Sequence, residues 1–469
     1  MASRLYAGVG RASINPPLGI AHGGWGAQLH ERAESIDLDL WTTVLVLASD
    51  DGRRAALVDL DLCLIDDDQA RTIREAVARA ADIPFESVRV SYTHTHAAPV
   101  TARITGGWIR GGRELVGPYM ATVVSQTAGA AWHASRTLRP TRVNAGVGSC
   151  RIGVNRRLVG PEGRVVNGHN WDGPFDPTVT VVRIDDLAEQ PVAVLVHYSC
   201  HPTVMGPENR VVTAEYPGVV KRVVERGLGG HCLFLQGAAG DVGPRYDFVA
   251  DLAVCRRLGA RLGHEAARVA WEVETVPRRE RLVGVQESGT SIGVYQYEPT
   301  GEEDATLALA TTTVDLPLRE LPDPHDAEDE AEAAEEALYA ARARGAGSDE
   351  VRRLTMIAKR AAMRAEQASA LAGRSHYPLE VHGLRLGPAA LVGVSVEPFV
   401  ALGMEVRRRS PFRFTLFSGY SNGYRNYLPT PEEFPRGGYE VAISPFTPEA
   451  PPLLVEAALG VLHRLAVAS

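Results

Sequence analysis

The sequence predicts an α/β fold, with a large mixed β-sheet flanked by helices. Short apolar runs rich in β-branched residues alternate with longer stretches in which apolar residues recur at helical spacing. Such alternation favours helices packed on the faces of one sheet, in an α/β/α arrangement. The 469 residues are expected to form a single domain that spans residues 1–469.

The apolar runs and the helical periodicity place the individual elements. Strands are predicted at residues 42–47, 55–64, 88–92, 178–184, 192–197, 231–235, 390–396 and 412–417. Helices are predicted at residues 67–81, 115–134, 217–226 and 251–272, and a last helix at 452–467 is expected to close the domain.

Residues 322–373 differ in composition from the rest of the chain. The segment opens with PDPHDAEDEAEAAEEAL, is rich in Ala, Glu and Arg, and is interrupted once at residues 344–348. This pattern predicts a charged helical hairpin inserted into the α/β domain, with acidic residues near its start that suit the helix dipole. A solvated helix face explains the acidic run better than a metal-binding tract does.

Composition and charge exclude several classes of protein. The formal net charge of -8 gives no basic face for nucleic acid. The first 20 residues contain no continuous apolar run of the signal-peptide type, and no run approaches 18 apolar residues, so no stable membrane insertion is expected. Five cysteines without paired spacing indicate reduced thiols in a cytoplasmic protein. A small-molecule substrate is expected, and the sequence leaves open whether the chain forms a homo-oligomer.

The segment SYTHTHAAPV places His94 and His96 just after a predicted strand. Side chains alternate along an extended segment, so the two imidazoles are expected to project to the same side. One imidazole could bind a metal while the other orients a water or substrate. A pair of polar loop histidines is the alternative for an isolated motif of this kind.

Further polar groups follow other predicted strands. In open α/β sheets, ligands bind beyond the carboxyl ends of the strands, so these groups are expected to converge. Histidine, glutamate and a phenol together form a donor set that suits zinc and leaves room for a water or a substrate oxygen. The groups are His197 and His201, the glycine-rich loop at residues 236–245, Glu397, and the tyrosines Tyr424, Tyr427 and Tyr439.

Seven motifs in order resemble the neutral/alkaline (non-lysosomal) ceramidase family, in its N-terminal catalytic domain. They are GVGRASINPPLG, THTHAAP, the NRR at residues 155–157, CHPTVMGPENRVV, GDVGP, VEPF and SNGYRNYLPTPEEF…YE. The resemblance implies a zinc-dependent amidase, since the family splits ceramide into sphingosine and a fatty acid. It also implies a role for seven side chains: His94, His201, Glu397 and Tyr427 as Zn²⁺ ligands, His96 beside the metal, and Arg156 and Tyr439 as stabilisers of the substrate carbonyl. Asp241, an acidic residue of the glycine-rich loop, could be a general base, a partner that orients a site residue, or a turn former.

The chain departs from the family at one position of consequence. The family loop reads GDVSP, and its serine is central to amide cleavage, whereas this sequence has Gly243 there. A metal-activated water is then the expected nucleophile, with His96 moving the proton. Ser199, Cys200 and Thr213 are alternative replacements for the serine, and Glu215 is a further acidic candidate near the site. The family also carries an export signal and an immunoglobulin-like domain that are not expected here.

The sequence therefore predicts a zinc-dependent hydrolase that cleaves an amide, or less favourably an ester or lactone, in a small cytosolic substrate. Two alternatives stay open. One is a ceramidase or another N-acyl lipid amidase, and the other is a catalytically inactive protein that binds a metal and a ligand.

Overall fold

The computed structural model describes residues 4–102, 108–301 and 303–468, and its centre is a mixed sheet of eight strands. The two outermost pairs of strands are parallel, and the pairings between them are antiparallel. From one edge to the other, the strands are His231–Gln236, Pro191–Tyr198, Thr178–Asp186, Arg139–Ser149, Leu5–Ser13, Trp41–Ser49, Arg54–Leu60 and Val88–Tyr92.

The sheet brings its two edges close together. The backbone N–H of Phe234, on one edge strand, donates to the carboxylate of Asp59, which lies next to the opposite edge (3.1 Å). Because the outer pairs are parallel, the loops that leave their carboxyl ends meet on one side of the molecule. These loops carry His94, His96, His201 and the glycine-rich loop at residues 236–245.

A second sheet packs against one face of the first. It has four strands, Leu307–Pro317, His376–Leu386, Ala389–Gly393 and Phe414–Ser418. Alternation along Trp41–Ser49 shows the layering: Val44 and Val46 face the helices, whereas Leu45 and Leu47 face the second sheet together with Leu391. Full burial of such side chains contributes roughly 1.5–3 kcal/mol each.

The mixed α/β class with a large mixed sheet is confirmed, but the layers differ in number from the expected α/β/α arrangement. Two sheets lie face to face between two helical layers. The second sheet escaped prediction in part because its strands Leu307–Pro317 and His376–Leu386 are separated by the helical insertion.

Helices cover the outer faces of both sheets. Those on the main sheet are Asp67–Ala81, Val116–Arg136, Glu215–Leu228 and Leu252–Glu272, close to their predicted bounds. Those on the second sheet are Val400–Arg409 and Ala450–Val467. A five-residue helix, Tyr439–Ile443, and 3₁₀ turns at Phe85–Ser87, Arg113–Leu115 and Pro431–Glu433 complete the helical elements of the described residues.

Four small sheets complete the strands of the described residues. They pair Ser35–Ile36 with Val211–Val212, Gly153–Val159 with both Val165–Asn170 and Val242–Pro244, Arg278–Glu287 with Ser291–Pro299, and Glu397–Pro398 with Tyr427–Leu428.

The inserted helical hairpin is confirmed. Its helices, Pro324–Ala343 and Ser348–Ala370, are joined where the sequence is interrupted. Asp323 caps the first helix by accepting from two backbone N–H groups. Leu338 and Ala358 pack the hairpin against Trp108 and neighbouring loop residues, and Met363 reaches the main core. The second helix therefore lies over the loops that leave the main sheet.

The helix Ala450–Val467 is long and apolar enough to cross a membrane by length and composition, with a mean hydropathy of 1.3. Half of it is buried in the protein. Leu454, Leu462 and Leu465 pack into the core beneath the second sheet. Its apolar character thus serves the interior of the fold.

Candidate metal centre

His94 lies in the loop that leaves the strand Val88–Tyr92, and its backbone is in the left-handed region (φ 65°). Its Nδ1 donates to the carbonyl of Cys63 (2.6 Å), which fixes the ring and leaves Nε2 as the acceptor. Nε2 of His96 lies 3.2 Å from Nε2 of His94. The two imidazoles meet, as predicted, but through a turn in the backbone instead of strand alternation.

His201 reaches the same point from the opposite edge of the sheet. Its Nδ1 donates to the carbonyl of Ala239 (2.5 Å), so its Nε2 is also left as an acceptor. His197, four residues earlier, stays in its strand and bonds through Nε2 to the carbonyl of Phe417 (3.0 Å). His197 is therefore a buried histidine next to the second sheet, and it is not among the donors that converge.

Glu397 and Tyr427 are neighbours in a short parallel pairing between Glu397–Pro398 and Tyr427–Leu428. Oε2 of Glu397 lies 3.4 Å from Nε2 of His94 and 3.0 Å from Nε2 of His201. The Tyr427 ring stacks against His201, with ring centroids 6.3 Å apart. Three of the four predicted ligands thus place donor atoms within 4.8 Å of one another, and Tyr427 lies beside them.

The donor atoms of His94, His201 and Glu397 have the types and the spacing of a cation-binding site. Nε2 of both imidazoles faces the same carboxylate oxygen, so a proton or a metal ion is needed between these acceptor atoms. Burial lowers the pKa of His94, but the Glu397 carboxylate outweighs it and raises that pKa to about 10. Burial and the nearby Arg156 lower the pKa of His201 to about 4. Nitrogen and oxygen donors at this spacing fit a zinc ion, which would take the place of the shared proton.

Two tyrosines that the sequence did not assign orient the carboxylate. Tyr424 donates to Oε1 of Glu397 (2.6 Å), and Tyr420 donates to Oε2 (3.3 Å). Tyr424 is one of the three tyrosines expected to converge at the site, and its bond to Glu397 gives it a supporting role. Tyr427 makes no hydrogen bond to Glu397 among the described contacts and lines the inner cavity, so it remains the candidate phenol ligand.

Arg156 lies behind Tyr427. Its guanidinium donates to the Tyr427 hydroxyl (3.1 Å) and to Glu440 (2.9 Å). Burial and Glu397 raise the pKa of Tyr427, whereas Arg156 lowers it. These contacts favour a role in holding Tyr427, where the resemblance suggested direct contact with the substrate. Tyr439 packs edge-on against the Tyr427 ring at the mouth of the centre (6.0 Å between centroids).

Asp241 is buried in the glycine-rich loop and turned away from the cavities around the centre. It accepts from the backbone N–H of Val400 (2.7 Å) and from the side chain of Asn155 (3.0 Å). Burial raises its pKa to about 7. Glu215 accepts from the backbone N–H groups of Val204 and Met205, in the loop after His201. The contacts of both acids favour a positioning role over general base catalysis.

Gly243 lies on a strand beside Arg156. A Cβ atom built there would meet Asp247 at 3.7 Å and Arg156 at 3.9 Å, which is ordinary contact. The site therefore has room for the serine of the family. The alternative nucleophiles Ser199, Cys200 and Thr213 do not line the cavities described below.

Three cavities adjoin the centre. The inner one is about 40 Å³ and is lined by His94, His96, Glu397, Tyr427 and Tyr439, together with Cys63 and Lys359. Two outer cavities of about 720 and 420 Å³ lie beyond it. Tyr439 and Met363 line all three, so they form the wall between the inner and outer spaces.

The chain is similar to known proteins in sequence and in fold. Residues 6–259, more than half of the chain, match the family described as neutral/alkaline non-lysosomal ceramidase, N-terminal. The chain belongs to the neutral/alkaline non-lysosomal ceramidase family. Members of this family are metal-dependent hydrolases of amide bonds. No curated protein matches the chain.

Solved structures share the fold. A neutral ceramidase from Pseudomonas aeruginosa superposes with a TM-score of 0.70 at 19% identity, covering 100% of this chain and 76% of that one. A structure titled ceramidase complexed with C2 gives a TM-score of 0.67 at 19% identity, covering 99% of this chain and 76% of the other. These likenesses confirm the mixed α/β fold.

Sequence reasoning missed three groups at the site. Trp25 packs against the His96 ring (4.9 Å between centroids), Cys63 lies close to both His94 and His96, and Lys359 reaches the inner cavity from the hairpin. Trp25 and Lys359 lie far from any strand end in sequence, so no motif pointed to them. Cys63 closes a predicted strand and could have been found by its position.

Proposed function

We propose that the protein is a zinc-dependent hydrolase that cleaves an amide bond of a small substrate in the cytosol. One observation carries the proposal: Nε2 of His94, Nε2 of His201 and Oε2 of Glu397 converge in one buried cluster, and no Lys or Arg of the described residues forms an ion pair with Glu397. His94, His201, Glu397 and Tyr427 would hold the ion. When bound, zinc lowers the pKa of a coordinated water toward 7 and polarises a carbonyl oxygen.

The residues of the chain would direct the reaction around that ion. Nε2 of His96 faces the inner cavity beside the ligands, where it can take a proton from the attacking water and pass it to the amide nitrogen. Tyr439 lines the same cavity and can donate its hydroxyl to the carbonyl oxygen. Arg156 keeps Tyr427 in place. Water then adds across the C–N bond, giving a carboxylic acid and an amine.

The absence of a serine at position 243 supports direct attack by water. Among the described residues, the inner cavity is lined by two side chains with a thiol or alcohol nucleophile, Cys63 and Thr101, and by the amine of Lys359. The Thr101 hydroxyl donates to the carbonyl of Leu64 (2.9 Å). We infer a reaction without an acyl-enzyme, because Gly243 offers no hydroxyl where the family has one.

A simple metal experiment tests the proposal. Protein purified without added chelator should contain about one zinc per chain, lose hydrolysis of N-acyl amides on zinc removal, and regain it on zinc addition. No acyl adduct should accumulate on the protein during turnover, as followed by intact-protein mass spectrometry. Full activity of the zinc-free protein would contradict the proposal, and a zinc-loaded protein without turnover on any N-acyl amide would support the inactive alternative.

A ceramide or another N-acyl lipid is the second candidate substrate. The outer cavity of about 720 Å³ offers apolar walls at Val165, Val166, Met363 and Ile443, which could receive an acyl chain. Preference for long-chain N-acyl amino alcohols over short-chain amides would favour this candidate.

The cytosolic location is also a proposal. All five cysteines, each within the described residues, are free thiols, which suits a reducing compartment. Thermal melts with and without reductant are expected to coincide. A large loss of stability on adding reductant would contradict the location. Whether the chain forms a homo-oligomer stays a prediction.

A further inference from the structure

The hairpin inserted into the fold supplies a cation to the inner cavity. Lys359, on the helix Ser348–Ala370, lines this cavity together with His94, His96 and Glu397, and it also lines the outer cavity of about 420 Å³. Its Nζ lies 6.0 Å from the centroid of the Tyr439 ring. The ammonium group therefore lies between the proposed zinc centre and the route by which a substrate reaches it.

Lys359 has no carboxylate partner among the described residues. Burial is the main cause that lowers the pKa of Lys359, to about 8, and the charges of Cys63 and Glu397 offset this only in part. The nearest acid at the site, Glu397, is engaged by His94, His201 and Tyr424. A half-buried ammonium without a carboxylate partner is stabilised when a ligand supplies the opposite charge.

The outer cavities repeat this excess of positive charge. Seven cationic side chains line them, against the single carboxylate of Glu440, which Arg156 and Arg157 already pair. Arg352, Arg364 and Arg436 have acidic partners, whereas Arg164, Arg353 and Arg360 form no ion pair within the described part of the chain. The chain as a whole is acidic, with a formal net charge of -8, so the concentration of cations at this entrance is local.

We propose that the substrate is an anionic amide, with a carboxylate close to the scissile bond, and that Lys359 is the residue that selects it. The simplest such compound is an N-acyl amino acid. A substrate carboxylate beside Lys359 would balance the charge of its ammonium group while the amide carbonyl reaches the inner cavity. Arg360 and Arg353 would attract the anion as it enters. This inference rests on the proposed amide hydrolase.

Three short substrates of matched length test it on the zinc-loaded protein. N-hexanoylglycine carries the carboxylate on the amine side, N-hexylsuccinamic acid carries it on the acyl side, and N-hexanoylethanolamine is neutral. We expect at least one acid to be hydrolysed with a kcat/KM about tenfold or more above that of the neutral amide. The preferred acid identifies the side on which the charge lies. Equal kcat/KM values for the neutral amide and both acids would overturn the proposal.

The substitution Lys359→Met keeps the length of the side chain and removes its charge. It should reduce the preference for the acid over the neutral amide by about tenfold or more, chiefly through the KM of the acid, while zinc content stays close to wild type. Arg344→Met is the matched control, because Arg344 lies at the turn of the same hairpin, pairs with Glu350 and lines none of the three cavities. An unchanged preference in Lys359→Met would contradict the assignment of Lys359.

Calorimetric binding separates this inference from the proposed function. If the zinc-loaded protein turns over none of the three amides, the proposed function fails. Binding of the acids is then compared between wild type and Lys359→Met. Weaker binding to the variant by about tenfold or more supports recognition of the carboxylate by Lys359, and equal binding overturns it.

Discussion

Two clusters of buried ionisable side chains lie near the edges of the main sheet, and they differ in how their charge is balanced. In one, Lys221 donates to Asp59 (3.1 Å) and to Asp61 (2.7 Å), so the cation comes from the chain itself. In the other, Nε2 of His94 and Nε2 of His201 face the carboxylate of Glu397, and no Lys or Arg of the described residues pairs with that carboxylate. Both sets are almost fully buried.

The difference separates a structural cluster from a binding site. Asp59 also accepts from the backbone of Phe234, so the first cluster joins the two edges of the sheet. The second cluster opens onto the inner cavity, and its acceptor atoms are held in place by backbone carbonyls and tyrosines. Burial alone does not identify a functional site. Buried acceptor atoms that cluster at the wall of a cavity are a better indication of a functional site.

The largest expected effect is the loss of the ion from the second cluster. His94→Ala should remove most of the zinc and reduce hydrolysis to background, because three remaining donors hold zinc far less tightly than four. Metal analysis of the purified protein and a kcat/KM measurement check this. His264→Ala, which removes an exposed histidine, is the control. Full zinc retention in His94→Ala would exclude His94 as a ligand.

Removal of the cation from the first cluster should act on stability alone. Lys221→Met leaves Asp59 and Asp61 buried without their partner, and breaking such a group costs about 3–5 kcal/mol. Urea unfolding of the zinc-loaded variant measures the change. The folded variant should still hold about one zinc per chain. Arg222→Met, an exposed neighbour on the same helix, should change stability by less than about 0.5 kcal/mol. Zinc loss in folded Lys221→Met would show that the two clusters are coupled.

His96 distinguishes chemistry from ion binding within the second cluster. His96→Ala should lower kcat by about a hundredfold, the usual contribution of a general acid-base group. Zinc content should stay near that of wild type, because His94, His201, Glu397 and Tyr427 remain. If zinc falls with activity, Nε2 of His96 belongs among the ligands, which its 3.2 Å distance from Nε2 of His94 would then explain.

The sequence predicted elements whose signal is local, and it missed contacts that depend on tertiary packing. The helix predicted at residues 67–81 has the observed bounds Asp67–Ala81. Its start is a local signal, because Asp66 and Gln69 form a capping box there. The strand Leu5–Ser13 was not predicted, although it lies inside the main sheet. Gly8 and Gly10 interrupt the apolar pattern by which a strand is recognised. Glycine is needed at both positions because backbone carbonyls of the helix Val116–Arg136 leave no room for a Cβ atom.

The site was anticipated to a similar extent. His94, His201, Glu397 and Tyr427 follow strands that end on one side of the molecule, so position and resemblance together predicted that they meet. The supporting contacts were out of reach. Whether Tyr424 or Arg156 touches the substrate or a ligand depends on the direction of a side chain in a loop, and Lys359 reaches the site from a helix nearly forty residues before Glu397.

The smallest expected effect comes from restoring the family's residue with Gly243→Ser. The new Cβ meets nothing closer than 3.7 Å, so the stability of the fold should change by less than about 1 kcal/mol. If water attacks directly, the added hydroxyl should not raise turnover of the preferred short amide, although weak cleavage of N-acyl lipids could be gained. Steady-state rates and intact-protein mass spectrometry after rapid quenching measure both. A trapped acyl adduct on the wild type would contradict attack by water and direct the search to Ser199, Cys200 or Thr213.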